Sequence, residues 1–265
     1  MAKCKKCNKR GFFLKLNTDG LCDECAKKAR QELYEQKQKE KIAKAREEIN
    51  SIPKYDIKLS TISRKRQTGY TAPKFSNITP KGKYDSYVVF DTETTGLTPS
   101  RDRIIELAAI KVQSGIAISR FHSYVNPERV IPAEASAINH ITNEMVKNAP
   151  KISEVLPAFE EFVGENILIA HNLEFDLKFL FYSGSILLDT KRKYIDTLQQ
   201  SKKMLKKSPT GVNCFWRNEV GDYKLETLCS YFNITLSDQH SALGDVYATT
   251  RLFATLVYLK QDNNY

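Results

Sequence analysis

At 265 residues, 41% of them apolar, the chain has room for one domain of ordinary size and a smaller module. It holds no apolar run of the ~18 residues that a membrane span needs. Met1-Ala2-Lys3-Cys4 also lacks the apolar core of a signal peptide, so a cytoplasmic protein without membrane contact is expected. The net charge of +10 is unevenly placed: residues 1–83 carry 22 Lys+Arg against 9 Asp+Glu, and residues 84–265 carry 19 against 22. All the excess positive charge thus lies in the first third, as in a nucleic-acid-binding arm; a solvated, lysine-rich tail is the alternative.

The chain opens with Cys4-Lys5-Lys6-Cys7, and Cys22-Asp23-Glu24-Cys25 follows after 14 residues. Two such knuckles offer four thiolates to one tetrahedral, structural Zn²⁺, the pattern of a small zinc ribbon or finger over 1–25. Asn17-Thr18-Asp19-Gly20 supplies a turn before the second knuckle. Apolar residues are too few here for a core, so the metal would supply much of the folding energy. Residues 26–50 lack Gly and Pro and pair Glu35 with Lys39 and Glu40 with Lys44, which predicts an exposed basic helix. From 51 to 83 periodicity vanishes among Pro, Ser, Thr, Gly and Lys, including Arg64-Lys65-Arg66, and a flexible basic linker is expected.

From Tyr84 to the end, 84–265, the pattern is that of an α/β domain. Tyr87-Val88-Val89-Phe90 reads as a strand that delivers Asp91. Ile104–Val112 and Ile116–Val125 flank Gln113-Ser114-Gly115 as a hairpin, and Ile167–Ala170 reads as a buried strand leading into a helix near Asn172. Tyr194–Asp196 is a short strand, and helices are expected over 153–163, 197–206, 224–232 and 242–260. The order implies a mixed sheet with helices on both faces.

The candidate chemistry lies in five dispersed residues: Asp91, Glu93, Asp176, His240 and Asp245. Asp91 and Glu93 are two apart at a strand end and project to one face, with Thr92 on the other. Four converging carboxylates repel unless cations sit between them. Such a set can hold two hard divalent ions, and a neighbouring histidine supplies a proton acceptor, a combination suited to phosphodiester hydrolysis. His240 should lie in the loop before the last helix and Asp245 in its first turns.

Asp91-Thr92-Glu93-Thr94-Thr95-Gly96-Leu97, His171-Asn172-x-x-Phe175-Asp176, and His240 with Asp245 resemble, in order, the three motifs of the DEDDh family of 3′–5′ exonucleases. That family includes the proofreading epsilon subunit of bacterial DNA polymerase III. The likeness spans roughly 84–260 and takes in Asp196-Thr197-Leu198 and Leu225-x-x-Leu228-Cys229-x-Tyr231-Phe232. It implies a ribonuclease H-like fold and two Mg²⁺ or Mn²⁺ ions. By resemblance Asp91 bridges both ions, Glu93 and Asp245 help to bind the first, Asp176 holds the second, and His240 is the general base. Leu97 and Phe175 would pack on the terminal nucleotides, while Thr94 and the backbone near Thr95 would meet the 3′ end.

The resemblance implies release of nucleoside 5′-monophosphates from DNA 3′ ends, single-stranded or frayed, in proofreading or repair. RNA 3′-end trimming is the alternative substrate reading, and a zinc-ribbon adaptor docking a DNA polymerase or other partner is the alternative from another class. Asn172 is expected to cap its helix and His171 to be structural; His122 has no motif. Where the family often reads hydrophobic-His-Gly-Ile-Thr, this chain has Ile138-Asn139-His140-Ile141-Thr142, so the family histidine's contact does not carry over to Asn139, and His140 is the alternative. Residues 206–223, with Cys214, Phe215 and Trp216, read as an insertion.

Overall fold

The computed structural model describes every residue except 12, 61–64, 68–71, 73–74, 76–77, 79–83, 189–191, 238–239 and 263–265. The chain forms two compact units, Met1–Glu47 and Glu48–Tyr265. In the first, β1 (Ala2–Lys3) pairs antiparallel with β2 (Arg10–Gly11), and α1 (Asp23–Ser51) begins on the second cysteine knuckle and runs across the boundary. Lys6 binds Glu32 of α1 at 2.8 Å. Most of α1 is exposed.

The second unit is built on a five-stranded sheet in the order β5-β4-β3-β6-β7. Its strands are β3 (Ser86–Thr94), β4 (Ile104–Gln113), β5 (Ile116–Tyr124), β6 (Ile167–Ala170) and β7 (Tyr194–Asp196). β3, β4 and β5 are antiparallel, and β6 and β7 continue parallel to β3. Ser114 and Gly115, at φ 49° and 81°, make the tight β4–β5 turn, in which two left-handed residues match the twist of the strands.

Between the strands run α2 (Ala133–Asn139), α3 (Asn143–Val146), α4 (Ile152–Val163) and α5 (Leu173–Tyr182). After β7 come α6 (Thr197–Met204), the parallel ribbon of β8 (Lys206–Lys207) and β9 (Glu219–Val220), then α7 (Leu225–Tyr231) and α8 (Ala242–Asp262). Among the described residues no helix is long and apolar enough to cross a membrane.

Alternation along β3 sorts its side chains between two layers. Val88 and Phe90 enter the main core with Phe121, Phe159, Phe162, Leu177 and Phe179, which closes the sheet against α4 and α5. Tyr87 faces the other way, edge-on to Phe253 of α8 at 5.1 Å between ring centroids. Full burial of each large apolar side chain contributes ~1.5–3 kcal/mol, so the centre of β3 is fixed from both sides.

The segment expected to be a flexible linker lies in part outside the described residues. Its described residues lie along the domain: the Tyr55 amide donates to Arg120 O at 2.8 Å, Ser60 to Glu154 O at 3.2 Å, Gln67 to Tyr182 O at 3.1 Å and Ile78 to Tyr194 O at 2.8 Å. Tyr55, Ile57 and Phe75 pack on the main core. Arg66 spends its guanidinium on the carbonyls of Pro99 and Asp102, while Arg64 lies outside the described residues. These described residues fall in the second compact unit, which begins at Glu48.

Candidate active site

Asp91 and Glu93 stand on the α8 side of β3, at its C-terminal end. Asp245 lies in the first turn of α8, and its carboxylate meets theirs: one ligand oxygen from each of the three falls within 4.8 Å of the others. Asp176, on α5, approaches from the opposite layer, so it is not part of that triplet. One of its oxygens, Oδ1, accepts from the Thr92 amide at 3.0 Å and the Thr92 hydroxyl at 2.6 Å. Strand alternation thus has a use on both faces, since Thr92 points away from Asp91 and Glu93 and holds the fourth carboxylate.

All four carboxyls are pushed toward the protonated form, burial being the main cause. Asp91 is driven well above the usual range by burial, with Asp176, Glu93 and Asp245 adding like charge. Glu93 rises to about 9 through burial, Asp245, Glu106 and Asp176, against a bond from the Asn139 side chain. Asp176 and Asp245 each rise to about 7, the first by burial opposed by Thr92, the second by burial and the charges of Glu106 and Glu226. Buried oxygen donors short of positive charge fit hard divalent cations, which would restore the ionised forms.

Two residues to which the sequence reading gave no role belong to this cluster. Glu106 faces Glu93 across the β3–β4 ladder and is only 2% exposed. Its Oε2 accepts from the Ala242 amide, the first of α8, at 3.0 Å, and its Oε1 lies 2.6 Å from His122 Nε2. A lone charge in the apolar run Ile104-Ile105-Glu106-Leu107-Ala108 was the available signal. The second is Asn139, which is buried where its amide donates to Thr94 O at 3.3 Å and its Oδ1 accepts from Ile141. His140, the alternative considered for the missing family histidine, is exposed.

The remaining candidates divide. His240 is exposed in the loop before α8, with a left-handed φ of 60°, outside the carboxylate triplet. Leu97 is 83% exposed, free to meet a ligand. Phe175 is half-buried, packed on the core and on Phe179 at 4.9 Å. The Thr94 and Thr95 hydroxyls are engaged within the turn, Thr94 donating to Gly96 O at 2.7 Å and Thr95 accepting from the Arg103 amide at 3.0 Å. A Cβ at Gly96 would fall 2.6 Å from an Asp102 carboxylate oxygen, which the Thr98 amide holds at 2.8 Å.

Asn172 is a correction: it occupies the N-cap of α5 in a left-handed conformation, but its side chain caps nothing. Its amide donates instead to Asp196, which caps α6. His171 is structural, as expected: Nδ1 meets Thr197 Oγ1 and Nε2 meets Tyr223 O, both at 2.9 Å, and burial lowers its pKa to about 4.

In the first unit, Sγ atoms of Cys4, Cys7, Cys22 and Cys25 lie within 4.8 Å of one another. Cys7 and Cys22 are 3.8 Å apart, matching the ~3.8 Å edge of a tetrahedron with Zn–S bonds of ~2.3 Å. The backbone amides of Cys7 and Cys22 lower the Cys4 thiol to about 6, favouring the thiolate a metal needs, while Cys25, hydrogen-bonded to Cys7, is raised to about 12. The set fits a single Zn²⁺.

Residues 88–253 match the family model described as RNase_T: Exonuclease. DNA polymerase III PolC-type of Bacillus subtilis (strain 168) is 38% identical over 176 residues, 65% of this chain and 11% of that protein. Its counterpart from Thermotoga maritima is 36% identical over 174 residues, covering 65% and 12%. The chain therefore spans only a small part of the curated relatives it matches. Among solved structures, Exonuclease X in complex with 5′ overhanging duplex DNA superposes with a TM-score of 0.51 at 24% identity, over 66% of this chain and 93% of that one. E. coli Exonuclease I in complex with a dT13 oligonucleotide gives 0.54 at 23%, over 68% and 42%. These likenesses place the five-stranded sheet in the ribonuclease H-like exonuclease fold.

Proposed function

Because the chain belongs to the RNase_T exonuclease family, we propose that it hydrolyses phosphodiester bonds at DNA 3′ ends in the 3′–5′ direction, releasing nucleoside 5′-monophosphates. The observation that carries this reading is the convergence of Asp91, Glu93 and Asp245 at the end of β3 with Asp176 tied beside them by Thr92. Asp91 would serve both of two Mg²⁺ or Mn²⁺ ions, with Glu93 and Asp245 on the first and Asp176 on the second. When bound, the ions supply an acidified water and stabilisation of the leaving 3′ oxygen.

His240, exposed in this structure, would take the proton from the attacking water at its imidazole once turned toward substrate. Leu97 and Phe175 pack on the terminal nucleotide, and the Thr94–Thr95 turn meets the 3′ end through its backbone. The four-cysteine cluster holds a structural Zn²⁺, and the basic first unit adds phosphate contacts or recruits a polymerase or repair partner. Similarity to PolC-type polymerases supports a proofreading or repair setting.

Mg²⁺-dependent digestion of matched 5′-labelled DNA and RNA oligonucleotides tests this, with Asp91→Ala as control. A descending ladder on DNA, absent with the variant, is expected. A ladder on RNA alone would move the activity to RNA trimming. No ladder on either from folded, metal-loaded protein would leave an adaptor.

A further inference from the structure

The insertion between α6 and α7 is tightly tied, yet it displays its largest side chain to solvent. Cys214 and Glu219 exchange backbone bonds at 2.8 and 3.1 Å, and the turn they close holds Phe215, Trp216 and Arg217, with Asn218 left-handed at φ 52°. Asn213 Oδ1 accepts from the Gly221 amide at 2.8 Å, and Gly221 lies so near Gly211 that a Cβ would stand 2.2 Å from its carbonyl oxygen. On this frame Trp216 is 93% exposed; Phe215 is 64% exposed, one face of its ring against Tyr231 at 5.6 Å.

The surroundings are basic. Between Lys202 and Lys224 the chain carries six Lys+Arg (Lys202, Lys203, Lys206, Lys207, Arg217, Lys224) against Glu219 and Asp222, although 84–265 as a whole is net acidic. The base of the insertion is fixed to the catalytic edge of the sheet: Tyr223 O meets His171 Nε2 at 2.9 Å, where β6 ends and the α5 segment bearing Asp176 begins. Exposed aromatics on a rigid turn, flanked by cations, are what a single-stranded nucleic acid uses, bases stacking on rings and phosphates meeting Lys and Arg. A patch for a protein partner would need no such excess of positive charge.

We propose that Trp216, with Phe215 beside it and Lys206, Lys207 and Arg217 around it, is a stacking platform for the single strand behind the 3′ end undergoing hydrolysis. The proposal rests on the exonuclease reading and gives that site a preference for strands long enough to reach the platform.

Trp216 is the sole tryptophan, so its emission reports directly on stacking. Full-length Asp91→Ala protein is titrated with fluorescein-labelled dT16 by polarisation and with unlabelled dT16 by tryptophan emission. Saturable quenching that tracks binding is expected. In the active background, Trp216→Ala should raise KM for a 16-mer roughly tenfold over any change in KM for a dinucleotide, in line with the loss of one stacked base. Binding without a change in emission, or equal KM shifts for long and short substrates, overturns the platform and leaves the patch to a protein partner. Should wild-type protein cleave no oligonucleotide, the exonuclease reading fails alone, because the emission titration needs no turnover.

Discussion

Asp176 receives both donors of Thr92 on a single carboxylate oxygen, the hydroxyl at 2.6 Å and the amide at 3.0 Å. The two bonds pull its pKa down against burial, and the balance leaves it at about 7. Thr92→Val keeps shape and amide but removes the hydroxyl. Hydrogen bonds to charged groups contribute ~1.5–3 kcal/mol, so Asp176 should become harder to ionise by about one to two pKa units. The variant is expected to lose roughly tenfold in kcat/KM at pH 7. Steady-state assays should show recovery at higher pH and Mg²⁺ concentration, with Thr92→Ser near wild type.

The carboxylate cluster also sets how metal-free stability responds to pH. Folding raises these pKa values, so the folded state binds more protons than the unfolded chain, and stability must fall as pH rises. The loss begins near the ordinary carboxylate range of ~4. It runs through about 7 for Asp176 and Asp245 and on to about 9 for Glu93. Thermal melts of Mg²⁺-free protein should therefore show a lower Tm at pH 8 than at pH 5.5. Added Mg²⁺ should raise Tm more at pH 8, where it displaces fewer protons. A Mg²⁺ effect equal at both pH values would argue against a buried, repelling cluster.

How far the sequence reaches is visible at β3. Its apolar run and the spacing of Asp91 and Glu93 identify the strand, the shared face and the carboxylate-bearing end, because local alternation dictates all three. What stands opposite is not local. That Thr92 grips Asp176, 84 residues away, follows from α5 packing under the sheet, which periodicity does not report. The short helices α2 and α3 escaped for the same reason, since Ala135 in one and Val146 in the other are too few buried apolar residues to show a period. Within 51–83, composition does not report where single apolar residues are seated. Isolated Tyr55, Ile57 and Phe75 have no repeat, yet each finds a seat on the core.

Glu106 joins three elements: it sits on β4, holds the Ala242 amide that starts α8, and meets His122 of β5. Glu106→Ala leaves a buried amide and an imidazole without their partner, at ~1–3 kcal/mol for each unsatisfied group. It also frees the start of the helix that carries Asp245. A fall in kcat of at least roughly tenfold is expected, with Tm lowered. Glu106→Gln keeps an acceptor for Ala242 and removes one negative charge facing Glu93, so it should retain most activity and raise the Mg²⁺-free Tm. Comparing the two variants by melting and turnover checks this. An alanine variant as active as the glutamine variant would show that the anchoring of Ala242 is unimportant.

The position of the domain boundary gives a test that needs no substrate. A 48–265 fragment keeps Tyr55 against Phe162, edge-on at 5.2 Å, and Phe75 against Tyr194 at 5.8 Å, together with Glu48 bonded to Tyr247. An 84–265 fragment loses these and the backbone bonds of Tyr55 and Ile78, baring part of the core at Phe121, Phe162 and Tyr194. Partial burial of three apolar side chains and several hydrogen bonds amount to roughly 3–6 kcal/mol. For a domain of this size that is a drop in Tm of about 10 °C or more. Circular dichroism melts should therefore place 48–265 close to the corresponding transition of the full chain and 84–265 well below it, with a tendency to aggregate. Coincident melts of the two fragments would return 51–83 to the status of a passive linker.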